Sequence, residues 1–311
     1  MSPAAASPEP EGTQLVKVDG RQLALKRLDK VLYPESGTTK AEVLDYYARI
    51  APVLLRYLAD RPVTRIRWPD GVGTKPFFEK NIPAHAPSWL STVVLPTPGS
   101  SRNLETLRFP LLTDTAALIW AVNLAALELH VPQWTVGPRG GVRNPNRLVI
   151  DLDPGAPAGL AECAEAANLI AERLTADGLS PVPVTSGSKG LQLYAALDGS
   201  NRPEAVLSYA KALAESLAKQ HPKLLVAKMA KVLRGGKVFL DWSQNNPAKT
   251  TICPYSVRGR DRPWVAAPRS WDELRAGGKL VQLEIGEVLE RVATEGDLAE
   301  TLFDEPGRLP R

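Results

Sequence analysis

Two aspartates separated by one residue end an apolar run near the middle of the chain. Asp151 and Asp153 follow Arg147–Ile150, which reads as a buried strand. Because side chains alternate faces along a strand, both carboxylates are expected to point the same way, with Leu152 in the core. A hard divalent cation best offsets their mutual repulsion. The pair predicts phosphoryl or nucleotidyl transfer, but the same spacing also occurs in glycosyltransferases, some phosphatases and solvated loops.

A third acid ends another apolar run. Asp241 follows Val238–Leu240, so an Asp-x-Asp strand and a single-Asp strand could meet at one site. Nucleotidyl transfer with two metal ions needs such an arrangement, in which one ion activates a 3′ hydroxyl and the other steadies the leaving pyrophosphate. The alternative is a strand-end acid that caps a turn.

Two turns carry groups suited to phosphate. Ser186-Gly187-Ser188-Lys189-Gly190, here called the serine turn, can present backbone N–H groups and one cation, although it lacks the spacing of a Walker loop and also fits a plain hairpin turn. The basic turn, residues 228–237, contains Lys228, Lys231, Arg234 and Lys237 around two glycines. It could close over a triphosphate or be a solvated basic turn.

His130 is one of three histidines and lies beside a strand-like stretch. It is either a core or capping histidine or a hydrogen-bond donor to an incoming phosphate.

Further cations and rings are expected to contact nucleic acid. Rings stack on bases and cations meet phosphates, although burial of Trp68 and one phenylalanine would explain part of this pattern equally well. A terminal phosphate could bind two lysines beside a helix N-terminus. The interleaved residues are Arg65, Arg67, Trp68, Phe77, Phe78 and Lys80, and the two lysines are Lys30 and Lys40.

Local patterns predict a chain of mixed α and β elements. Thr39-Lys40-Ala41-Glu42 has capping-box spacing and opens a helix that extends to Leu58. Helices are also expected over Thr115–Leu129, Leu160–Ala176 and Pro203–His221, and a loop over Thr135–Asn146. Gln14–Leu25 reads as a hairpin, although Lys17-Val18-Asp19-Gly20 also matches the lysine motif of ATP-dependent nucleotidyltransferases.

Composition agrees with an ordinary globular protein that binds a polyanion. The chain has 311 residues, a net charge of +4 and a pI of about 9.0. Its two cysteines have no paired spacing, so neither a disulfide framework nor a zinc site is expected. Residues 1–12 read as a disordered tail before a single catalytic domain over 13–311. With no long apolar run or signal-peptide layout, a cytoplasmic, nucleoid-associated enzyme without membrane contact is expected.

With these residues in view, the chain resembles the polymerase domain of bacterial ligase D, a branch of the archaeo-eukaryotic primase superfamily. The resemblance runs from about Leu28 to Leu302 and implies an α+β primase-polymerase-like domain of two β-sheets flanked by helices. The matching segments are Asp29–Pro34, Gly37–Lys40, Arg67–Pro69, Phe77–Lys80, Glu128–Trp134, Asp151–Pro154, Thr185–Gly190 and Asp241–Asn245.

The resemblance also implies roles for these residues. Asp151, Asp153 and Asp241 would hold two Mn²⁺ or Mg²⁺ ions and perform catalysis. The triphosphate of an incoming NTP or dNTP would contact His130, Ser186, Ser188, Lys189, Lys231, Arg234, Gln244 and Arg258. DNA with a gap or break would contact Lys30 and Lys40 at its 5′-phosphate, and Arg67, Phe77, Phe78 and Lys80 near the template.

Two positions depart from the family pattern. Ile66 stands where a basic residue is expected between the two arginines, and Gln192 stands where a histidine is common. No ligase or nuclease segment follows Arg311, so the chain is expected to be either an excised domain or a free-standing paralogue.

The sequence therefore predicts a template-directed nucleotidyltransferase. It would add a few nucleotides, with a preference for ribonucleotides, at gaps or breaks that bear a 5′-phosphate, in end joining or short-gap filling. A DNA ligase and an end-binding protein are the expected protein partners. The alternatives are a DNA-end binding module without catalysis, a sugar-nucleotide transferase, and a primase that starts chains without a primer.

Overall fold

Strands and helices alternate through residues 12–97, 105–276 and 280–310, the parts of the chain that this computed structural model describes. The helices are α1 (Lys40–Leu58), α2 (Thr115–Asn123), α3 (Leu160–Ala176), α4 (Pro203–Gln220), α5 (Trp271–Arg275), α6 (Ile285–Glu295) and α7 (Thr301–Asp304). The strands are β1 (Thr13–Val18), β2 (Arg21–Lys26), β3 (Val31–Tyr33), β4 (Thr38–Thr39), β5 (Thr64–Arg67), β6 (Phe77–Glu79), β7 (Thr92–Pro96), β8 (Thr106–Pro110), β9 (Ala126–Val131), β10 (Trp134–Val136), β11 (Val142–Pro145), β12 (Arg147–Pro154), β13 (Pro181–Thr185), β14 (Leu191–Ala196), β15 (Leu225–Val226), β16 (Val238–Asp241), β17 (Thr251–Ile252), β18 (Trp264–Val265), β19 (Ala267–Pro268) and β20 (Leu283–Glu284).

A six-stranded sheet in the order β15-β16-β12-β14-β13-β19 carries the Asp-x-Asp strand near its centre. Neighbouring strands are antiparallel except β15 and β16, which are parallel. Along β12, Leu148, Ile150 and Leu152 pack in one core with residues of α3 and α4, whereas Val149 belongs to a different core. The two faces of β12 are therefore distinct, and the aspartates share the face of Val149.

A four-stranded sheet in the order β17-β9-β5-β6 lies across that second core. Val149 and Tyr194 of the six-stranded sheet pack there with Leu129 and Ile252 of the four-stranded sheet, together with the apolar face of α1. The expected α+β class with two β-sheets flanked by helices is confirmed.

Helix α1 begins where its sequence predicts. The Thr39 side chain accepts a hydrogen bond from the Glu42 backbone N–H, and the Glu42 carboxylate accepts one from the Thr39 backbone N–H at 2.7 Å. This reciprocal pair satisfies donors that the first helical turn cannot use. It also fixes Lys40 as the first residue of the helix.

The predicted hairpin at Gln14–Leu25 is confirmed, since β1 and β2 pair around Asp19 and Gly20, which both have positive φ. The Asp19 carboxylate accepts a hydrogen bond from the Ala116 backbone N–H near the start of α2. A turn that also caps a neighbouring helix therefore explains the Lys17–Gly20 segment.

Two sequence-based predictions were wrong. The helix expected over Thr115–Leu129 ends at Asn123, Ala125 adopts a left-handed φ of 59°, and β9 follows. The loop expected over Thr135–Asn146 contains parts of β10 and β11, which pair as a short hairpin. Of the predicted tail, only residue 12 lies within the described ranges. None of the helices described is long and apolar enough to cross a bilayer.

Candidate active site

The three acids that the sequence singled out meet on one face of the six-stranded sheet. Asp151 of β12 pairs directly with Asp241 of β16, and Asp153 pairs with Phe239, two residues from Asp241. Directly paired residues of antiparallel strands point to the same face with Cβ atoms roughly 5 Å apart, and diagonal neighbours are roughly 7–8 Å apart, within reach of each other's side chains. The carboxylates therefore converge on the face turned away from α3 and α4.

Burial, together with neighbouring carboxylates, perturbs the pKa of two of these acids. Burial, followed by the charge of Asp153, raises the pKa of Asp151 to about 7, and Asp241 contributes in the same direction. Burial and then Asp241 raise the pKa of Asp153. Gln192, at the position where the resemblance predicted a histidine, pairs with Asp151 across β12 and β14, and its hydrogen bond opposes part of the rise. The hydrogen bond from Gln192 therefore does not cancel the effects that disfavour ionisation of the buried aspartates.

Local donors hold the Asp241 carboxylate. It accepts hydrogen bonds from the Ser243 backbone N–H at 3.0 Å, from the Ser243 hydroxyl and from Gln244 Nε2 at 2.9 Å. Lys249 Nζ lies 3.8 Å from Asp241 Oδ2 and donates to the Ser243 hydroxyl. Gln244, expected at the nucleotide, thus contacts an acid, and Lys249 is a cation that the sequence analysis missed.

A divalent cation fits this donor set. In the described ranges, no group of three or more His, Cys, Asp or Glu side chains is arranged, as it stands, so that it could hold a metal ion. Asp153 and Asp241 instead each have a cation beside them. Arg234 Nη1 lies 3.9 Å from Asp153 Oδ2, and Lys249 lies near Asp241. Three convergent carboxylates, two of them with raised pKa values, are the oxygen ligands that Mg²⁺ and Mn²⁺ prefer.

The serine turn connects β13 to β14, as the plain hairpin interpretation predicted, and it also lies against the acid strand. The Ser186 hydroxyl accepts hydrogen bonds from the backbone N–H groups of Ser188 and Gly190 at 3.3 and 3.2 Å. A Cβ atom on Gly190 would lie 2.0 Å from the Leu152 carbonyl oxygen. This close approach places the turn, with exposed Lys189, beside Asp151 and Asp153.

The basic turn is anchored at the end of the same strand. The Gly155 backbone N–H donates to the Lys237 carbonyl at 2.8 Å, and the Gly236 N–H donates to the Gly155 carbonyl at 2.9 Å. Within the turn, Arg234 stacks over the Phe239 ring at 3.7 Å, while Lys231 is exposed. The turn is therefore fixed at its base and presents its cations beside Asp153.

The opposite wall of the site comes from the four-stranded sheet. His130 and Glu128 of β9 share a face, and His130 Nε2 lies 2.7 Å from Glu128 Oε2. The same oxygen accepts from Arg258 Nη1 at 3.2 Å, and Oε1 accepts from the Gly259 N–H at 3.0 Å. Burial raises the pKa of Glu128, but the hydrogen bond from His130 and the charge of Arg258 outweigh it, so the pKa is lowered.

Arg258 joins this wall to the serine turn. A Cβ atom on Gly187 would lie 2.5 Å from Arg258 Cγ, so the arginine stem packs directly on the turn. The structure thereby groups the residues predicted to contact the triphosphate around the acid end of β12. Of the predicted set, His130, Ser186, Ser188, Lys189, Arg234 and Arg258 lie in these contacting segments, Gln244 lies beside Asp241, and Lys231 lies in the basic turn.

The two lysines expected to grip a phosphate are close to one another but differ in environment. Lys30 is partly exposed, with Nζ 2.8 Å from Asp70 Oδ1. Lys40 is buried, and its Nζ donates to the Lys26 carbonyl and to Asn123 Oδ1. Burial, followed by the charges of Arg27 and Lys30, lowers the pKa of Lys40 to about 8.

The hairpin of β5 and β6 carries the predicted template residues. Phe77 and Phe78 pair with Arg67 and Ile66, respectively, and are 59% and 68% exposed. Arg67 forms a 2.9 Å ion pair with Glu79. Lys80 is exposed beyond the strand, whereas Ile66, at the position expected to be basic, is buried in the core. Trp68 is buried as well, so the exposed rings of this hairpin are the two phenylalanines.

Comparison with known proteins agrees with this geometry. The family model described as the LigD primase-polymerase domain matches residues 39–299. The chain belongs to this family. A solved LigD structure, the polymerase domain from Mycobacterium tuberculosis ligase D in complex with DNA, superposes with a TM-score of 0.86 at 45% identity, covering 91% of this chain and 99% of that one.

Full-length LigD proteins are also similar. The multifunctional non-homologous end joining DNA repair protein LigD of Mycobacterium tuberculosis is 46% identical over 287 residues, covering 91% of this chain and 37% of the relative. The bifunctional non-homologous end joining protein LigD of Bacillus subtilis is 32% identical over 294 residues, covering 92% of this chain and 45% of the relative. The chain therefore spans less than half the length of these LigD relatives.

Proposed function

We propose that this chain is a template-directed nucleotidyltransferase that extends a DNA 3′ end by a few nucleotides, with ribonucleotides preferred, across a gap or break that bears a 5′-phosphate. The observation that supports the proposal most is the direct pairing of Asp151 with Asp241, with Asp153 on the same face. A similar solved chain, the polymerase domain of Mycobacterium tuberculosis ligase D, was determined in complex with DNA.

The three aspartates would hold two Mn²⁺ or Mg²⁺ ions. When bound, such ions make a 3′ hydroxyl more acidic and neutralise charge on the α-phosphate and the leaving pyrophosphate. The protein itself supplies cations for the rest of the triphosphate, from Lys189 and Arg234 on one side and from Arg258 on the other, where the His130 ring also lies. These fixed donors stabilise the charge that develops on the phosphates.

The DNA would lie along the opposite end of the four-stranded sheet. Phe77 and Phe78 are exposed rings on which bases can stack, and Arg67 and Lys80 can meet the template backbone. Lys30 and Lys40 would bind the 5′-phosphate, which replaces Asp70 as the counter-ion of Lys30. The context would be end joining or short-gap repair at the bacterial nucleoid, with a ligase and an end-binding protein as partners.

Primer extension on a gapped duplex tests the proposal. We expect the unmodified protein to extend a labelled primer, better with ribonucleotides, in the presence of Mn²⁺ or Mg²⁺. Asp153→Ala should abolish extension while gap affinity stays nearly unchanged, because phosphate contacts supply most of the binding. Asp272→Ala, which removes a side chain that is 94% exposed on α5, is the matched control and should extend normally.

The outcomes separate the alternatives. Tight gap binding without extension by the unmodified protein would identify a DNA-end binding module. Turnover of a nucleotide-sugar without DNA would identify a sugar-nucleotide transferase. Extension without a primer would identify a primase. Measurable extension by the Asp153→Ala variant would contradict the proposed metal ligands.

A further inference from the structure

Glu128 connects the two side chains of the four-stranded sheet that face the acids. We propose that Glu128 is a positioning residue, which holds His130 and Arg258 at a fixed separation so that both meet the triphosphate of the incoming nucleotide. The inference rests on the proposed polymerase function. It states that Glu128 sets the positions of the side chains that bind the nucleotide.

The Glu128 carboxylate is buried and fully engaged. Its side chain is 6% exposed. Oε2 accepts from His130 Nε2 at 2.7 Å and from Arg258 Nη1 at 3.2 Å, and Oε1 accepts from the Gly259 backbone N–H at 3.0 Å. Because a buried carboxylate is costly unless it is paired and hydrogen-bonded, these three donors are what keep it ionised.

One shared oxygen determines how far apart the His130 ring and the Arg258 guanidinium lie. His130 and Arg258 both bond to Oε2, so neither can move without breaking a charge-assisted hydrogen bond. Since an ionised carboxylate only accepts, His130 Nε2 is the donor in its pair, and Nδ1 is the ring nitrogen left for a ligand. With protons on both nitrogens, the ring can donate to Glu128 and to a phosphate oxygen at once.

Arg258 is held from further directions. The Tyr33 hydroxyl donates to the Arg258 carbonyl at 2.7 Å. Beside it, a Cβ atom on Gly259 would lie 2.3 Å from the buried Trp68 ring, so the backbone at this point lies directly on the indole. The Gly259 N–H is thereby aimed at Glu128. The surroundings therefore fix the arginine backbone, and Glu128 fixes the direction of its guanidinium.

A purely structural ion pair would behave differently from a positioning residue. Removing one partner of a buried charged pair lowers stability wherever the pair lies. Asp297 provides the matched comparison, because its side chain is also 6% exposed and accepts hydrogen bonds from the Tyr57 and Tyr255 hydroxyls at 2.8 and 2.7 Å. Asp297→Asn should lower the melting temperature without changing the affinity of the protein for nucleoside triphosphate or monophosphate.

The experiment measures equilibrium binding of a fluorescent nucleoside triphosphate and of the matching monophosphate, in the presence of Mn²⁺ and gapped DNA. It also measures KM and kcat for extension. Glu128→Gln keeps the shape and removes the charge, whereas Glu128→Asp keeps the charge and shortens the reach by one methylene. We expect both variants to lose triphosphate affinity about tenfold or more, since the effect is on hydrogen bonds to charged groups. Monophosphate and gap affinities should change little.

The results distinguish failure of the inference from failure of the function. If the unmodified protein binds triphosphate and extends primers, but both Glu128 variants keep its preference for triphosphate over monophosphate, the positioning role is wrong and the polymerase proposal stands. If the unmodified protein neither binds triphosphate nor extends primers, the polymerase proposal fails. If Glu128→Gln does not fold, the Glu128→Asp variant decides the inference alone.

Discussion

Recognition of a DNA 5′-phosphate by this protein should weaken as the pH rises through 8. Lys40 is buried, and both acceptors of its Nζ are neutral oxygens, of Lys26 and Asn123. Burial and the neighbouring cations lower its pKa to about 8, so its charged form predominates below that pH and is lost above it. A phosphate monoester has a second pKa of about 6 and therefore keeps its charge over the same range.

The size of the effect follows from this pKa. With a pKa of 8, about nine-tenths of Lys40 is charged at about pH 7 and about one-tenth at about pH 9. Because a bound phosphate favours the charged amine, binding takes up a proton. The preference for a phosphorylated over an unphosphorylated gap should therefore fall about tenfold across this interval. The folding stability of the free protein should change with pH in the opposite direction. Lys40 loses its proton at about pH 8 in the folded state and near 10.5 in the unfolded state, so the free energy of unfolding should increase as the pH rises from 8 to 10.5.

Fluorescence anisotropy with two gapped duplexes, identical except for the 5′-phosphate, measures this preference at constant ionic strength. Taking the ratio of the two affinities cancels pH effects that both duplexes share. Lys40→Arg is the control, because a guanidinium stays charged throughout and its ratio should stay constant. An unmodified protein whose ratio does not change over this interval, or an arginine variant that declines equally, would refute the reasoning.

Three further predictions concern the metal and the template. Burial and neighbouring acids raise the pKa of Asp151 to about 7, so without metal the folding stability should fall as the pH rises from near 3.8 to 7. Mn²⁺ binds the ionised carboxylate, so it should raise the melting temperature more at about pH 8 than at about pH 5. Equal shifts in melting temperature at the two pH values would contradict this prediction. Lys249→Gln removes a cation 3.8 Å from Asp241, so Mn²⁺ should bind this variant roughly fivefold more tightly, as measured by calorimetry. Weaker or unchanged Mn²⁺ binding would contradict this prediction. Phe78→Ala should weaken gap binding about tenfold, with little change in melting temperature because the ring is 68% exposed, and a large loss of stability would show that the ring packs in the core.

The convergence of the acids could be predicted from the sequence because it depends on local geometry. Alternation along β12 places Asp151 and Asp153 on one face whatever the strand pairs with. What the sequence did not supply was the partner of β12, and hence the register in which Asp241 lies opposite Asp151. The apolar run before Asp241 indicated the third acid, and the family resemblance implied that it is a metal ligand, but neither specified the strand pairing.

The strand β9 was missed because nothing in its composition interrupts the preceding helix. Residues 115–129 contain no glycine or proline, and the break falls at Ala125, which adopts a left-handed conformation unusual for alanine. The run Ala126–Leu129 consequently lies in a buried strand, although its residue types also suit a helix.

The residues that the sequence analysis missed depend on distant partners. Glu128 contacts Arg258, 130 residues farther along, and its one local signal is the two-residue spacing to His130, which places both side chains on the same face. Lys249 reaches Asp241 from a loop with no distinctive pattern. Lys40 was predicted correctly as a cation near a helix start, but its burial depends on Asn123 and the β1–β2 hairpin, which sequence spacing does not reveal.

The carboxylates and the Glu128 group stand on sheets that share no strand. Among the described residues, their mutual alignment depends on packed side chains such as Val149 and Leu129, on the Arg258 stem against Gly187, and on a hydrogen bond from the Tyr194 hydroxyl to the Ile252 carbonyl. A small displacement of one sheet relative to the other would leave every strand intact while it moved the carboxylates away from the Glu128 group. Because no strand crosses the boundary between the sheets, we expect heating to inactivate the protein before its strands unfold, so that packing at this boundary would set the upper working temperature.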